Sequence, residues 1–352
     1  MMRIAIVNDM PMAVEALRRV ITTVPQYQIA WIAADGEEAV RQSRADTPDL
    51  ILMDLIMPRM DGAEASRLIM RDSPCAILIV TATVDGHSSK VFEAMGWGAL
   101  DAINTPVLDS SGDPGRGSEL LAKIAMLSKL IGKSPTQSLS ARVAADNGRP
   151  QPDFPLIAIG ASTGGPAALA RVLALLPAAL QAAITIVQHV DEVFAPGLAS
   201  WLAKQSWRDV RTIRANDRPD PSLVQIASTN GHLLLTPELT FTYSTEPEDY
   251  YYRPSVNVFF HSVARWWPGA AIGVLLTGMG ADGAEGLLEM RRSGWYTVAQ
   301  DQATCVVYGM PKAAAKIGAA VEILPLDQIA GAISREAAFP VVRQRSGKKR
   351  AI

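Results

Sequence analysis

Short apolar runs that end on an acid, a hydroxyl or a glycine, each followed by a stretch of helical period, recur along the chain and leave it few ways to fold. In the first third the runs are Arg3–Asn8, Ile29–Ala33, Leu50–Asp54, Ala76–Thr81 and Ala99–Asn104. Between them lie helical stretches such as Ala13–Val24, Gly36–Ala45 and Gly62–Asp72. Strict alternation of this kind predicts a parallel sheet covered on both faces. A last helix is expected over Ser118–Ile131, after which Gly132–Asp153 keeps no apolar period and reads as a linker. A second α/β pattern opens at Leu156 with a strand, the turn Gly164-Gly165-Pro166 and a helical run over Ala167–Leu176. Further strands are expected at Ala183–Gln188, Ala271–Thr277 and Thr297–Gln300. Val224–Tyr243 reads as an antiparallel hairpin insertion, with Asn230-Gly231 as its turn.

A length of 352 residues fits two domains of this kind. The boundaries expected are 1–131 for the first, 132–153 for the linker, 154–337 for the second and 338–352 for a basic tail that reads as a solvated end. With 49% hydrophobic and 19% charged residues and a formal net charge of −2, the composition excludes a chain disordered throughout and a dominant nucleic-acid footprint. Cys75 and Cys305 stand far apart without metal-ligand spacing. No secretory signal and no bilayer-length apolar run is visible, so a cytoplasmic location is expected. Without a coiled-coil heptad, a monomer is expected.

Chemistry in an open parallel sheet gathers at the carboxyl ends of strands. Asp9, Asp54 and Thr81 stand at three such ends. Two carboxylates brought together there repel unless a cation lies between them, as an oxygen-preferring Mg²⁺ site requires. Together with Met57-Pro58-Arg59-Met60-Asp61-Gly62, these residues resemble the receiver domain of two-component response regulators, over roughly residues 1–130. The resemblance implies a flavodoxin-like fold, Asp54 as phosphoacceptor, Asp9 and Asp54 as Mg²⁺ ligands, and Thr81 as the switch hydroxyl. This chain carries Asn8 where the family has a second acid, and Thr105 where it has a lysine before the proline. Weakened metal binding or an altered conformational response is expected.

The second domain places Gly160-Ala161-Ser162-Thr163-Gly164-Gly165 at a strand-to-helix turn. On its own that turn reads as a helix cap or a phosphate-binding loop before it reads as an exposed nucleophile. A serine nucleophile needs a base, and the chain has His87, His189, His232 and His261. His189 ends the strand Ala183–Gln188 and falls at the same sheet edge as Ser162; His261 lies in an amphipathic stretch, and His232 follows the Asn-Gly turn. Asp282, after the strand at 271–277, reads alone as a turn residue and in company as the acid that orients an imidazole.

At this point GASTGGP at 160–166, QH at 188–189, RPSVNVFFHSVA at 253–264, LLTGMGADG at 275–283 and VYGMP at 307–311 resemble the catalytic domain of the CheB-type protein-glutamate methylesterase family. The resemblance implies a doubly wound, Rossmann-like α/β/α domain with Ser162 as nucleophile, His189 as base, Asp282 as orienting acid and the Met279 backbone N–H in an oxyanion hole. It implies hydrolysis of glutamate γ-methyl esters on chemoreceptor cytoplasmic domains, deamidation of receptor glutamines, a CheA-type histidine kinase as phosphodonor, and no metal for the ester step. Asn257 stands where the family has an acid. Asn8 and Thr105 make the chain look more like the Wsp-type branch, which serves surface sensing, than the flagellar one.

Other residues read as structure: Trp201, Trp207, Trp266 and Trp267 as core or interface packing, and Cys305 as a small buried side chain. Tyr250-Tyr251-Tyr252 is expected to border the cleft. Two other readings stay open: a DNA-binding output, for which no recognition helix is visible, and a silent receptor adaptor.

Overall fold

The computed structural model describes residues 1–81, 88–106, 115–130, 152–247, 250 and 252–338. Almost all of the expected linker, the tail beyond Ala338, His87 and Tyr251 lie outside them. The chain divides into two compact units.

In the first unit β1 (Met2–Val7), β2 (Tyr27–Ala33), β3 (Leu50–Met53), β4 (Ala76–Thr81) and β5 (Asp101–Asn104) form a parallel sheet in the order β2-β1-β3-β4-β5. Its order is that of the flavodoxin-like fold. The connecting helices are α1 (Pro11–Thr22), α2 (Gly36–Ala45), α3 (Gly62–Asp72) and α4 (Ser88–Gly96), with α5 (Gly115–Leu130) after β5. Every residue of β3 is buried, as in a strand covered on both sides. Asp35 and Asp61 cap α2 and α3 by accepting the N–H groups of Glu38 and Glu64.

The second unit is built on seven parallel strands in the order β14-β13-β12-β6-β7-β9-β8. They are β6 (Leu156–Ala161), β7 (Ala183–Gln188), β8 (Val210–Thr212), β9 (Val224–Ile226), β12 (Ala271–Leu275), β13 (Tyr296–Gln300) and β14 (Glu322–Leu324). The helices are α6 (Gly165–Leu175), α7 (Ala195–Ser206), α8 (Val256–Trp266), α9 (Ala284–Arg292), α10 (Met310–Lys316) and α11 (Leu326–Ala338). Strands are added on one side of β6 and then on the other, so strand order reverses there, and a reversal opens a crevice beyond the strands' carboxyl ends. One core cluster joins Leu156 and Ala158 of β6 to Phe259, Phe260 and Val263 of α8 and to Leu287 and Met290 of α9.

Two sequence expectations are corrected. Val224–Tyr243 is not one hairpin: β9 pairs in parallel with β7, and only β10 (His232–Leu235) and β11 (Phe241–Ser244) pair antiparallel. Their turn is closed by Thr236 N–H donating to Thr240 O at 2.9 Å, whereas Asn230-Gly231 precedes the hairpin. Asn230 is engaged elsewhere, its Oδ1 accepting the Glu192 N–H at 3.2 Å. Trp207 is not in the core. It caps α7 at φ 56° and is 94% exposed, whereas Trp267 is buried.

Candidate active site

Ser162 follows β6 and is pinned from both neighbouring strands. Its N–H donates to Thr277 O at 3.0 Å and its carbonyl accepts from Gln188 Nε2 at 2.8 Å. His189, the residue after β7, donates its N–H to Ala161 O at 3.0 Å, which seats it beside the serine. Gly278 closes the third side: a Cβ there would lie 2.8 Å from Ser162 Cβ and 2.2 Å from Met310 Sδ, so no larger residue fits.

The imidazole of His189 meets Asp282 through Nε2, 2.8 Å from Oδ2, and both side chains are only 6% exposed. Asp282 also accepts Ser255 Oγ–H at 2.8 Å and Asn257 N–H at 3.0 Å on Oδ1, and Val256 N–H at 2.6 Å on Oδ2. It thus receives the first N–H groups of α8, where the helix dipole favours an anion. Burial alone pushes the Asp282 carboxyl up; the bond to His189 and its charge, with the Asn257 and Ser255 donors, outweigh burial and hold it below the ordinary carboxylate range.

The structure joins His189 to Asp282 directly, but among the described residues no hydrogen bond links Ser162 Oγ to the imidazole. His189 Nδ1 is buried without a hydrogen-bond partner. With Nε2–H donated to the carboxylate, the network assigns the lone pair to Nδ1. Met279 is half-buried on the turn after β12, whose Gly278 carbonyl is held by the N–H groups of Gly309 and Met310 at 3.0 and 2.8 Å. The ring of Tyr252 stacks on His189 with centroids 4.0 Å apart and 8° between planes, as expected of a cleft-bordering residue.

Sequence reasoning missed Ser255 and gave His232, weighed only as a candidate base, no role; both are fully buried. Ser255 also serves as the α8 cap, a signal readable from Ser255 before an amphipathic run. Asn257 is buried, and its Oδ1 accepts the Gly286 N–H at 2.9 Å, which ties α8 to α9. His261 packs inside, its ring nitrogens buried without partners and its pKa lowered by burial. Burial pushes the Cys305 thiol up to about 12 and so keeps it protonated.

In the first unit Asp54 follows β3, is 8% exposed, and accepts the Leu55 N–H at 2.7 Å on Oδ1 and Asn8 Nδ2–H at 3.0 Å on Oδ2. The Asn8 amide is oriented by Met10, whose N–H donates to Oδ1 at 2.8 Å. Burial raises the Asp54 pKa, the Leu55 and Ile56 N–H groups pull it back, and the charge of exposed Asp9 adds to the rise. Gly62 admits the loop: a Cβ there would lie 1.9 Å from Asp54 O. Thr81 is buried at the end of β4, beside β3, with its carbonyl accepting the Thr105 N–H at 2.9 Å.

A buried carboxylate whose pKa is raised chiefly by burial and in small part by the charge of a second acid is a fit for a divalent cation. Among the described residues, no group of three or more His, Cys, Asp or Glu is gathered as for a metal ion, so Asp9 and Asp54 form a set of two acids with an amide beside them.

Comparison with known proteins agrees with both halves. Residues 4–111 match the response regulator receiver domain and residues 157–333 match the CheB methylesterase family. A Pseudomonas aeruginosa protein named protein-glutamate methylesterase/protein-glutamine glutaminase 3 is 54% identical over 94% of this chain and 98% of its own length. A Bordetella avium protein with the same activities in its name is 53% identical over 96% of this chain and 98% of its own. The crystal structure of the Thermotoga maritima CheB methylesterase catalytic domain covers 52% of this chain and 98% of its own, at 32% identity and a TM-score of 0.50. With nearly the whole chain matched in this way, it belongs to the CheB family of protein-glutamate methylesterases that carry a response-regulator receiver domain.

Proposed function

We propose that the chain hydrolyses glutamate γ-methyl esters, and deamidates glutamines, on the cytoplasmic domains of chemoreceptors. The observation that carries this reading is the buried His189–Asp282 bond beside Ser162 at the point where strand order reverses. With substrate present, Ser162 Oγ attacks the ester carbonyl while His189 Nδ1 takes its proton. Asp282 holds the imidazole in the tautomer that leaves Nδ1 free and stabilises the imidazolium that forms. The Met279 N–H faces the developing oxyanion. The imidazolium then gives its proton to the departing methoxy oxygen, or to the amide nitrogen of a glutamine, so that methanol or ammonia leaves as the acyl bond breaks, and the freed Nδ1 activates a water that cleaves the acyl-enzyme.

The receiver, taken as residues 1–131 and joined through 132–153 to a catalytic domain at 154–337, supplies the control. A CheA-type histidine kinase donates the phosphoryl group to Asp54, and Thr81 reports its arrival. Asp9 and Asp54 would hold Mg²⁺, which when bound neutralises charge on the incoming phosphoryl group. Phosphorylation relieves a block on the catalytic domain, a two-state equilibrium shifted by charge at Asp54.

Methanol release from membranes bearing methylated receptors tests the reading. Release by the full chain that vanishes with Ser162→Ala and rises when a phosphodonor is added supports it. Receptor binding without any release would favour the silent adaptor.

A further inference from the structure

The site contains a buried histidine and a buried serine that the triad chemistry does not use. His232, on β10, is fully buried and far in sequence from the residues it serves. Its Nδ1 accepts the Ser255 N–H at 3.1 Å and its Nε2–H donates to Pro247 O at 3.1 Å. A neutral imidazole protonated on Nε2 accepts at one edge and donates at the other, which those two partners require together. Burial lowers the His232 pKa, and the charge of Arg253 lowers it further, against the opposing pull of Pro247 O and Asp282; Tyr250 lies edge-on at 6.0 Å. The neutral form is thereby favoured.

Ser255 is the next link. Its hydroxyl lies 2.8 Å from Asp282 Oδ1 but 3.4 Å from the Val258 N–H, the bond that an ordinary cap would make. The short contact is the one to the carboxylate, so the hydroxyl proton goes there, and Asp282 itself receives the Val256 and Asn257 N–H groups that begin α8. Helix capping does not account for this arrangement. Resting on the esterase reading above, we propose that Ser255, oriented by His232, is a positioning residue of the reaction: it fixes the Asp282 carboxylate so that Oδ2 presents itself to His189 Nε2 and leaves Nδ1 to the nucleophile.

The chain of contacts runs His232, Ser255, Asp282, His189, so loosening an early link should disturb the base without touching substrate. The test is methanol release by the full-length protein across pH, with Ser162→Ala as the reference for the esterase reading. Ser255→Ala is expected to lower kcat by about tenfold to a hundredfold with KM within about twofold, as loss of an outer hydrogen-bond partner does elsewhere. It should also move the acid limb of the kcat profile to higher pH, because a carboxylate with one donor fewer holds the imidazolium more strongly. Ser255→Thr keeps the hydroxyl and should restore both readouts. His232→Leu should repeat the Ser255→Ala pattern more weakly, and His232→Asn, which retains an acceptor near Nδ1, should stay closer to the parent.

Should Ser255→Ala fold poorly, Ser255→Gly carries the same test, since glycine is tolerated at a helix cap. Wild-type kcat and an unmoved acid limb in the folded serine variants would overturn the proposal. So would a fall in kcat accompanied only by a lower melting temperature, with the acid limb in place and no recovery in Ser255→Thr. Release that survives Ser162→Ala would instead overturn the esterase reading, and this inference with it.

Discussion

Asp282 Oδ2 takes the Nε2 edge of His189 at 2.8 Å while the same oxygen accepts the Val256 N–H at 2.6 Å, so one atom ties the imidazole to the start of α8. An amide cannot serve all these partners at once. In Asp282→Asn, the –NH₂ either opposes the α8 donors or turns to His189 and forces Nε2 to accept, which puts the proton on Nδ1. The expected loss in kcat is about ten-thousandfold. Steady-state kinetics on folded protein checks it, and a loss below about tenfold would contradict the tautomer assigned here.

The same carboxylate sets a pH limit on folding. Its pKa is lowered in the folded state, so its stabilising contribution is present above the unfolded carboxylate range and is lost as pH falls through the folded value. In a pH series of urea melts, the gap between the parent and Asp282→Asn should be constant from neutral pH down to the ordinary carboxylate range and close only below it.

Asp54 has the opposite sign. Burial raises its folded pKa, so it binds more protons folded than unfolded, and its ionisation costs stability as pH rises through the unfolded and then the folded value. Asp54→Asn should therefore raise the receiver's melting temperature at neutral pH, and the gain should vanish below the ordinary carboxylate range. Calorimetry at both ends decides it; a variant less stable at neutral pH would refute the argument.

Asn8 spends one N–H on Asp54 Oδ2, an oxygen that a bound cation would otherwise have to itself. Asn8→Asp replaces that donor with a third carboxylate. Mg²⁺ affinity should rise by about tenfold or more, on the scale of other changes around a metal site. Titration calorimetry on the full chain reads it directly, and equal affinities would show that Asn8 does not limit the site.

Gly278 has neither Cβ nor room for one. Gly278→Ala sets a methyl against Ser162 Cβ and Met310 Sδ, and a shift of the nucleophile by about 1 Å costs about a hundredfold in rate. Loss of activity with little change in receptor binding is expected, and unchanged turnover would mean that the turn after β12 gives way more easily than its contacts imply.

Much of this was legible before any coordinates. Long, fully buried strands such as β6 and β7 announce themselves as continuous apolar runs, and the turns after them place Ser162, His189 and Asp282 at one edge. The three-residue strands β8 and β14 were not legible, because Val-Arg-Thr and Glu-Ile-Leu are too short to show a period. The Asn230-Gly231 pair misled because its turn chemistry serves a contact with Glu192 instead of the β10–β11 hairpin. Ser255 and His232 stayed hidden for a different reason: their partners lie across the fold, and local sequence carries no trace of a hydrogen bond made that far away. Which His189 nitrogen meets Asp282 was likewise invisible, since it depends on the angle at which the imidazole enters from β7.

The order of strand assembly has a last consequence. β12, which delivers Asp282, pairs with β6, which delivers Ser162, although the hairpin and α8 are made between them. While the chain is still emerging from the ribosome, Ser162 and His189 exist without the carboxylate that aims the imidazole. On the proposed reading hydrolysis begins only once β12 has docked beside β6, so a half-made chain would be a silent one.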